Sequence, residues 1–228
     1  MIARLRGIFT LIQMALSITI TIILMYLFRS NNRAIRRVWG SIQMKLLGIT
    51  LEIKGEVDKS ADMIVINHQS LLDIIIFEYL HPRDLSWVAK KEIANIPWFG
   101  HILKAPDMII VERESKSSLV KLIKETKDRL SKNRPIAIFP EGTRSNGIDM
   151  GKFKAGAKMI ANKYNLTVQP IVLIGTRDIL DSQNLKQRSG VVKVIYLPSV
   201  KADKATNWYE ETEELMKETL KKELNSDL

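Results

Sequence analysis

Apolar and polar positions change their rhythm twice along the chain. Ile8 to Phe28 is 21 residues without a charge. As a helix this run is about 31 Å long, close to the hydrocarbon thickness of a bilayer. A signal peptide fits poorly, because Arg29 to Arg37 follow where a small-residue cleavage site belongs. A buried core helix is the alternative. Asn32 to Leu47 then sets Ile35, Val38, Trp39, Ile42 and Leu46 at helical spacing, with Arg33, Arg36, Arg37 and Gln43 on other faces. This is the pattern of a basic amphipathic helix in a membrane interface, with arginines suited to anionic headgroups. A plain surface helix is the other reading.

From Leu51 onward, short apolar runs alternate with helical stretches. Strands are predicted at Leu51–Lys54, Met63–Ile66, Leu85–Ala89, Met108–Val111, Ile136–Phe139, Val168–Ile174 and Val191–Leu197. Helices are predicted at Ser70–Leu80, about Glu92–Lys104, Lys116–Ser131, Lys152–Tyr164 and Trp208–Leu224. This alternation predicts an α/β fold: a mostly parallel twisted sheet flanked by helices. The organisation expected is a membrane-anchoring helical segment over 1–48 and an α/β domain over 49–228.

Composition narrows the chemistry. The 228 residues are 46% hydrophobic and 26% charged, as in a globular protein, and contain no Cys. That excludes a disulfide framework, a Cys nucleophile and a Cys-type metal site. The net charge of +10 is uneven. Residues 1–54 hold eight basic side chains against one acid, Glu52, while the rest is nearly balanced. The basic excess therefore accompanies the apolar segment, which favours a membrane surface over nucleic acid. If the apolar run spans, the positive-inside rule puts residues 29 onward in the cytoplasm. A hairpin that enters one leaflet and returns is the alternative.

Two candidate sites follow predicted strands, where ligands gather in open α/β sheets. In Asn67-His68-Gln69-Ser70-Leu71-Leu72-Asp73, a His in the turn before a helix and an Asp in its first turn are able to meet. Asp73 then fixes the tautomer and leaves the other ring nitrogen as a base. Alternatively, Asp73 only caps the helix, since Ser70 and Asp73 have capping-box-like spacing. In Phe139-Pro140-Glu141-Gly142-Thr143-Arg144-Ser145, Gly admits a ligand to the backbone, Thr offers a hydroxyl and Arg grips phosphate. An ordinary turn is the alternative there.

The two motifs in this order resemble the glycerolipid acyltransferase family, most closely its bacterial 1-acylglycerol-3-phosphate acyltransferases. Residues 67–73 are similar to its His-x4-Asp motif and 139–145 to its third motif. Val88–Glu92, Ile96–Gly100 and Ile110–Arg113 resemble the second motif; Gln169-Pro170-Ile171-Val172 resembles the fourth, with Gln where Val is usual. The likeness covers roughly residues 50–200. It implies a glycerol-3-phosphate acyltransferase-like fold and acyl transfer from an acyl-carrier protein or coenzyme A thioester to lysophosphatidic acid, with no further cofactor and no metal. It also implies His68 as base, Asp73 as its orienting partner, and Lys90, Arg113, Gly142, Thr143 and Arg144 around the acceptor phosphate. Glu141 is expected to hold a basic side chain or a glycerol hydroxyl, since a carboxylate repels phosphate. The expected location is the cytoplasmic face of a bacterial inner membrane, against anionic lipids. Glycerol 3-phosphate or another lysolipid is the alternative acceptor. A metal-dependent hydrolase built on His68 and Asp73 is a weaker competitor, as His81 and His101 have no ligand-like spacing to His68.

Overall fold

The computed structural model describes residues 2–112 and 116–226. It opens with two antiparallel helices, α1 (Ile2–Leu27) and α2 (Asn32–Leu46), joined by a short 3-10 turn at Arg29–Asn31. The α/β part follows as β1 (Ile49–Lys54), β2 (Met63–Ile66), α3 (Leu72–Leu80), β3 (Ser86–Lys90), α4 (Lys91–Ala94), α5 (His101–Lys104) and β4 (Ile109–Val111). Next come α6 (Lys116–Ser131), β5 (Ile136–Ile138), α7 (Ala155–Tyr164), β6 (Thr167–Ile174), α8 (Thr176–Ile179), β7 (Leu180–Asp181) and β8 (Lys186–Gln187). The chain closes with β9 (Gly190–Tyr196), β10 (Val200–Lys201) and α9 (Trp208–Asn225).

The main sheet runs β1-β9-β6-β2-β5-β3-β4, with β10 added against β6. Pairing is parallel from β6 through β2, β5 and β3 to β4, and between β1 and β9. It is antiparallel where β6 meets β9 and β10. The central strands β2 and β5 are buried at every position, which is why they read as unbroken apolar runs. The two-residue side-chain period divides them between two cores. Ile64, Ile66 and Ala137 pack with Trp39, Met44, Leu72 and Phe77 beneath α1–α3. Met63, Val65, Ile136 and Ile138 pack with Leu122, Ile160, Trp208 and Met216 of α6, α7 and α9. Residues 1–48 share the first of these cores through Met14, Trp39, Met44 and Leu47.

Local departures from the predicted elements have visible causes. The helix predicted over Glu92–Lys104 is two short helices, α4 and α5. Pro97 lies between them and lacks the N–H a helix needs, and Trp98 adopts φ 62°. The helix predicted from Lys152 starts at Ala155, because Gly151 N and Lys154 N are held by Glu141 and the Pro140 carbonyl.

The second helix corrects the lipid-facing arginine expectation. Its buried side carries Arg36, Trp39, Gly40, Gln43 and Met44, while Val38, Ile42 and Leu46 are exposed. Arg36, 3% exposed, pairs with Glu78 at 2.6 Å and with Asp84; Arg33 reaches Glu78 at 3.1 Å. The cause is a buried carboxylate on α3, which needs compensating charge inside the fold. The Trp39 indole and the Gln43 amide both donate to Ser17 Oγ of α1 at 3.1 Å. Polar groups thus join the helices inward beside Trp39 and Met44, while Val38, Ile42 and Leu46 remain outside.

Candidate active site

His68 lies just beyond the carboxyl end of β2, and Asp73 is in the first turn of α3. They meet, His68 Nδ1 to Asp73 Oδ2 at 2.7 Å. The same oxygen accepts from Gln69 N at 2.7 Å and Ser70 N at 2.9 Å, and Oδ1 accepts from Thr176 Oγ1 at 2.6 Å. Asp73 therefore holds the imidazole and also gathers the backbone of the loop before α3, so it does more than cap the helix. With Asp73 only accepting, the ring proton is assigned to Nδ1, and Nε2 is left with its lone pair. The imidazole stacks on Phe139 with centroids 3.8 Å apart and planes at 11°, and Phe139 stacks in turn on Trp87 at 5.3 Å. His68 is 14% exposed at its side chain, against 0% for Asp73, so solvent reaches only the base.

Neighbouring strands fix the loop. Asn67 exchanges two hydrogen bonds with the backbone of Leu173, at 2.9 and 2.7 Å, and Gln69 donates to the same carbonyl at 3.0 Å. Ser70 Oγ donates to Leu180 O at 2.7 Å. The second motif loop follows β5, the strand on the other side of β2, where Gly142 takes φ 73°. Glu141 joins the two motifs: its Oε1 accepts from His68 N at 2.7 Å and its Oε2 from Gly151 N at 2.6 Å. Ser145 N donates to the His68 carbonyl at 2.7 Å. Glu141 is buried at 2% exposure and holds backbone N–H groups, in place of the basic side chain or glycerol hydroxyl expected of it. Burial pushes its carboxyl up to about 7, against the pull of those two N–H donors. A side chain at Gly151 would crowd Glu141, since a Cβ there lies 3.0 Å from Oε2.

Arg144 is partly buried, and its Nη1 donates weakly to Ser182 Oγ at 3.3 Å. Burial lowers its pKa, Arg177 nearby lowers it further, and Asp73 opposes both. Arg177 is tied to the motif loop through Ser145 O at 2.7 Å. Thr143 is exposed on the same loop, and Lys90 stands partly exposed at the carboxyl end of β3, next to β5 in the sheet. Arg113 lies outside the described residues. His68, Asp73, Glu141, Gly142, Thr143 and Arg144 thus gather at one end of two adjacent strands, β2 and β5, with Lys90 one strand over on β3. Among the described residues no group of three or more His, Asp or Glu comes together as a metal site.

Thr176 and Arg177 were not singled out from sequence. Both follow Gly175, which ends β6 at φ 90°. A Gly closing a strand and followed by polar residues was the available signal. That β6 lies beside β2 is a tertiary fact. The unusual Gln169 proves structural: it accepts from Asp58 N at 2.9 Å, donates to Glu56 O at 2.8 Å, and touches no site residue through those bonds.

The arrangement is an oriented, partly exposed base beside a loop that carries Arg144, which suits proton abstraction from a hydroxyl. Comparison with known proteins agrees. The Acyltransferase family pattern matches residues 49–174. A 1-acyl-sn-glycerol-3-phosphate acyltransferase of Helicobacter pylori is 43% identical over 95% of this chain and 93% of its own length. A chloroplastic relative of the same name from Arabidopsis thaliana is 32% identical over 86% of this chain, which spans only 59% of that protein. The crystal structure of the 1-acyl-sn-glycerophosphate acyltransferase PlsC of Thermotoga maritima superposes with a TM-score of 0.76 at 22% identity, covering 98% of this chain and 95% of the other, and so shares the fold. The chain belongs to the Acyltransferase family.

Proposed function

We propose that this protein is a 1-acyl-sn-glycerol-3-phosphate acyltransferase, transferring a fatty acyl group from a thioester to the sn-2 hydroxyl of lysophosphatidic acid in phospholipid biosynthesis. The observation that carries the chemistry is the His68–Asp73 pair, locked to the Glu-Gly-Thr-Arg loop through Glu141. His68 Nε2 takes the proton of the acceptor hydroxyl as its oxygen attacks the thioester carbonyl. Collapse of the tetrahedral intermediate expels the thiolate of acyl-carrier protein or coenzyme A, and the imidazolium returns the proton to it. Asp73 holds the ring and faces the positive charge that develops. Arg144, with Gly142 and Thr143 on its loop and Lys90 at the carboxyl end of β3, receives the acceptor phosphate; the family resemblance adds Arg113 to this set.

Purified protein given labelled acyl thioester and a panel of lysolipids is expected to acylate lysophosphatidic acid first. Arg144→Ala is expected to raise KM about tenfold for phosphate-bearing acceptors, the loss of roughly one charge-assisted contact. Equal loss on a neutral monoacylglycerol would remove Arg144 from phosphate binding.

The same reading places the enzyme on an anionic membrane surface, as on the cytoplasmic face of a bacterial inner membrane. Leu5, Ile8, Phe9, Ile12, Leu16, Ile20, Ile23 and Leu27 of α1 are exposed, together with Val38, Ile42 and Leu46 of α2. The opposite side of α1 packs on the domain from Gly7, against Leu185, to Tyr26, against His101. A helix fastened along its length in this way does not cross a bilayer; its outer strip beds in one leaflet.

A further inference from the structure

The end of α4 and the turn between α4 and α5 carry apolar side chains to which the acyl-transfer steps above assign no role. Ile93, Ile96 and Trp98 are exposed there, Trp98 by 49%, whereas Trp39, Trp87 and Trp208 are buried. Trp98 also holds a left-handed backbone, φ 62°, an expensive conformation for a bulky residue. Gly100 lets the turn fold tightly, since a Cβ there would lie 2.0 Å from the Ala94 carbonyl. The turn is tied to α1: the Trp98 indole donates to Thr19 Oγ1 at 3.0 Å, and the Tyr26 hydroxyl meets His101 Nδ1 at 2.6 Å. Thr19 adjoins the exposed Leu16, Ile20 and Ile23 in the helical repeat of α1. The apolar side chains of the turn therefore extend the outer strip of α1. Basic residues flank them in the chain: Lys90, Lys91 and Lys104 against a single acid, Glu92, within 90–104, with Lys91 paired to Glu112 at 3.2 Å, and Arg29 lies over the Tyr26 ring at 5.9 Å.

We propose that residues 93–98 form a second lipid contact, separate from the two helices, with Trp98 seated at the headgroup level of an anionic bilayer. This rests on the reading that the outer strip of α1 beds in one leaflet. A bilayer is the occupant because the patch is continuous with that strip, is flanked in the chain by cations, and centres on an amphipathic indole, the side chain that concentrates at membrane interfaces. Lys90 caps α4, the one-turn helix that leads into this turn, so the contact places the Lys90 side of the site against the lipid that holds the acceptor.

The full chain is mixed with phosphatidylglycerol–phosphatidylcholine vesicles whose phospholipids carry bromine in the upper acyl chain, and tryptophan emission is followed. Bromolipid quenching is expected, and Trp98→Phe is expected to remove most of it while the protein still sediments with vesicles. Trp98→Asp is expected to weaken vesicle binding roughly tenfold, the order expected for losing one embedded aromatic side chain. Retained vesicle binding with quenching unchanged by Trp98→Phe would overturn the second contact and leave the α1 reading standing. Failure of the unmodified chain to bind vesicles would overturn both.

Discussion

A single oxygen pair on Asp73 receives four donors, two from its own loop, one from His68 and one from Thr176 across the sheet. Removing the last donor leaves an acceptor of a 0%-exposed carboxylate unfilled and frees the imidazole mount to shift. Thr176→Val is expected to lower kcat about tenfold, in line with loss of one hydrogen bond to a charged group. Thr176→Ser is expected to restore it, and unchanged kcat in the valine variant would show that Thr176 only fills space. His68→Ala is expected to abolish acyl transfer with secondary structure retained by circular dichroism; substantial residual turnover would remove His68 as base. The dyad was legible because the loop and first helical turn are local in sequence. Thr176 was not, because about a hundred residues separate it from Asp73.

At the level of elements, α2 shows how binary patterning misleads at an interface with two solvents. Its arginines were expected toward headgroups, but two of them serve Glu78 and Asp84 inside. Its exposed apolar side chains face the direction a soluble protein reserves for charge. Arg36→Ala is expected to destabilise the fold by about 3 kcal/mol, since it takes the buried cation from the buried Glu78 and leaves it only the partly exposed Arg33. Urea unfolding measures this, and a change below about 1 kcal/mol would mean the pair is incidental. Seven predicted strands match seven of the main sheet's eight, most plainly β2 and β5, which are covered on both faces and so apolar throughout. The two-residue strands β7, β8 and β10 were missed, being too short for any period.

For the whole molecule, two buried titrating groups oppose each other in stability. Burial pushes His81 down to about 4 from its ordinary 6.5, and pushes Glu141 up to about 7 from 4.5. Between about 4 and 6.5 the unfolded chain binds more protons at His81, so that group makes stability fall as pH falls. Between about 4.5 and 7 the folded chain binds more at Glu141, so that group makes stability fall as pH rises. Each slope amounts to roughly 3 kcal/mol over its window, and they nearly cancel where they overlap. His81→Asn, which keeps an acceptor for Arg83 N, is expected to expose the Glu141 slope: lower stability at pH 7 than at pH 5 by denaturant titration. A higher stability at pH 7 in that variant would contradict the raised Glu141.

The sequence by itself determined the α/β alternation, the apolar leading helix and both motif loops, because each is written in local periodicity or adjacent residues. Only the tertiary structure decided which strands are neighbours. It gave Glu141 the backbone of His68, brought Thr176 to Asp73, and, by packing α2 on α3, turned Arg36 inward, since hydrogen bonds and buried charges are satisfied between elements distant in the chain.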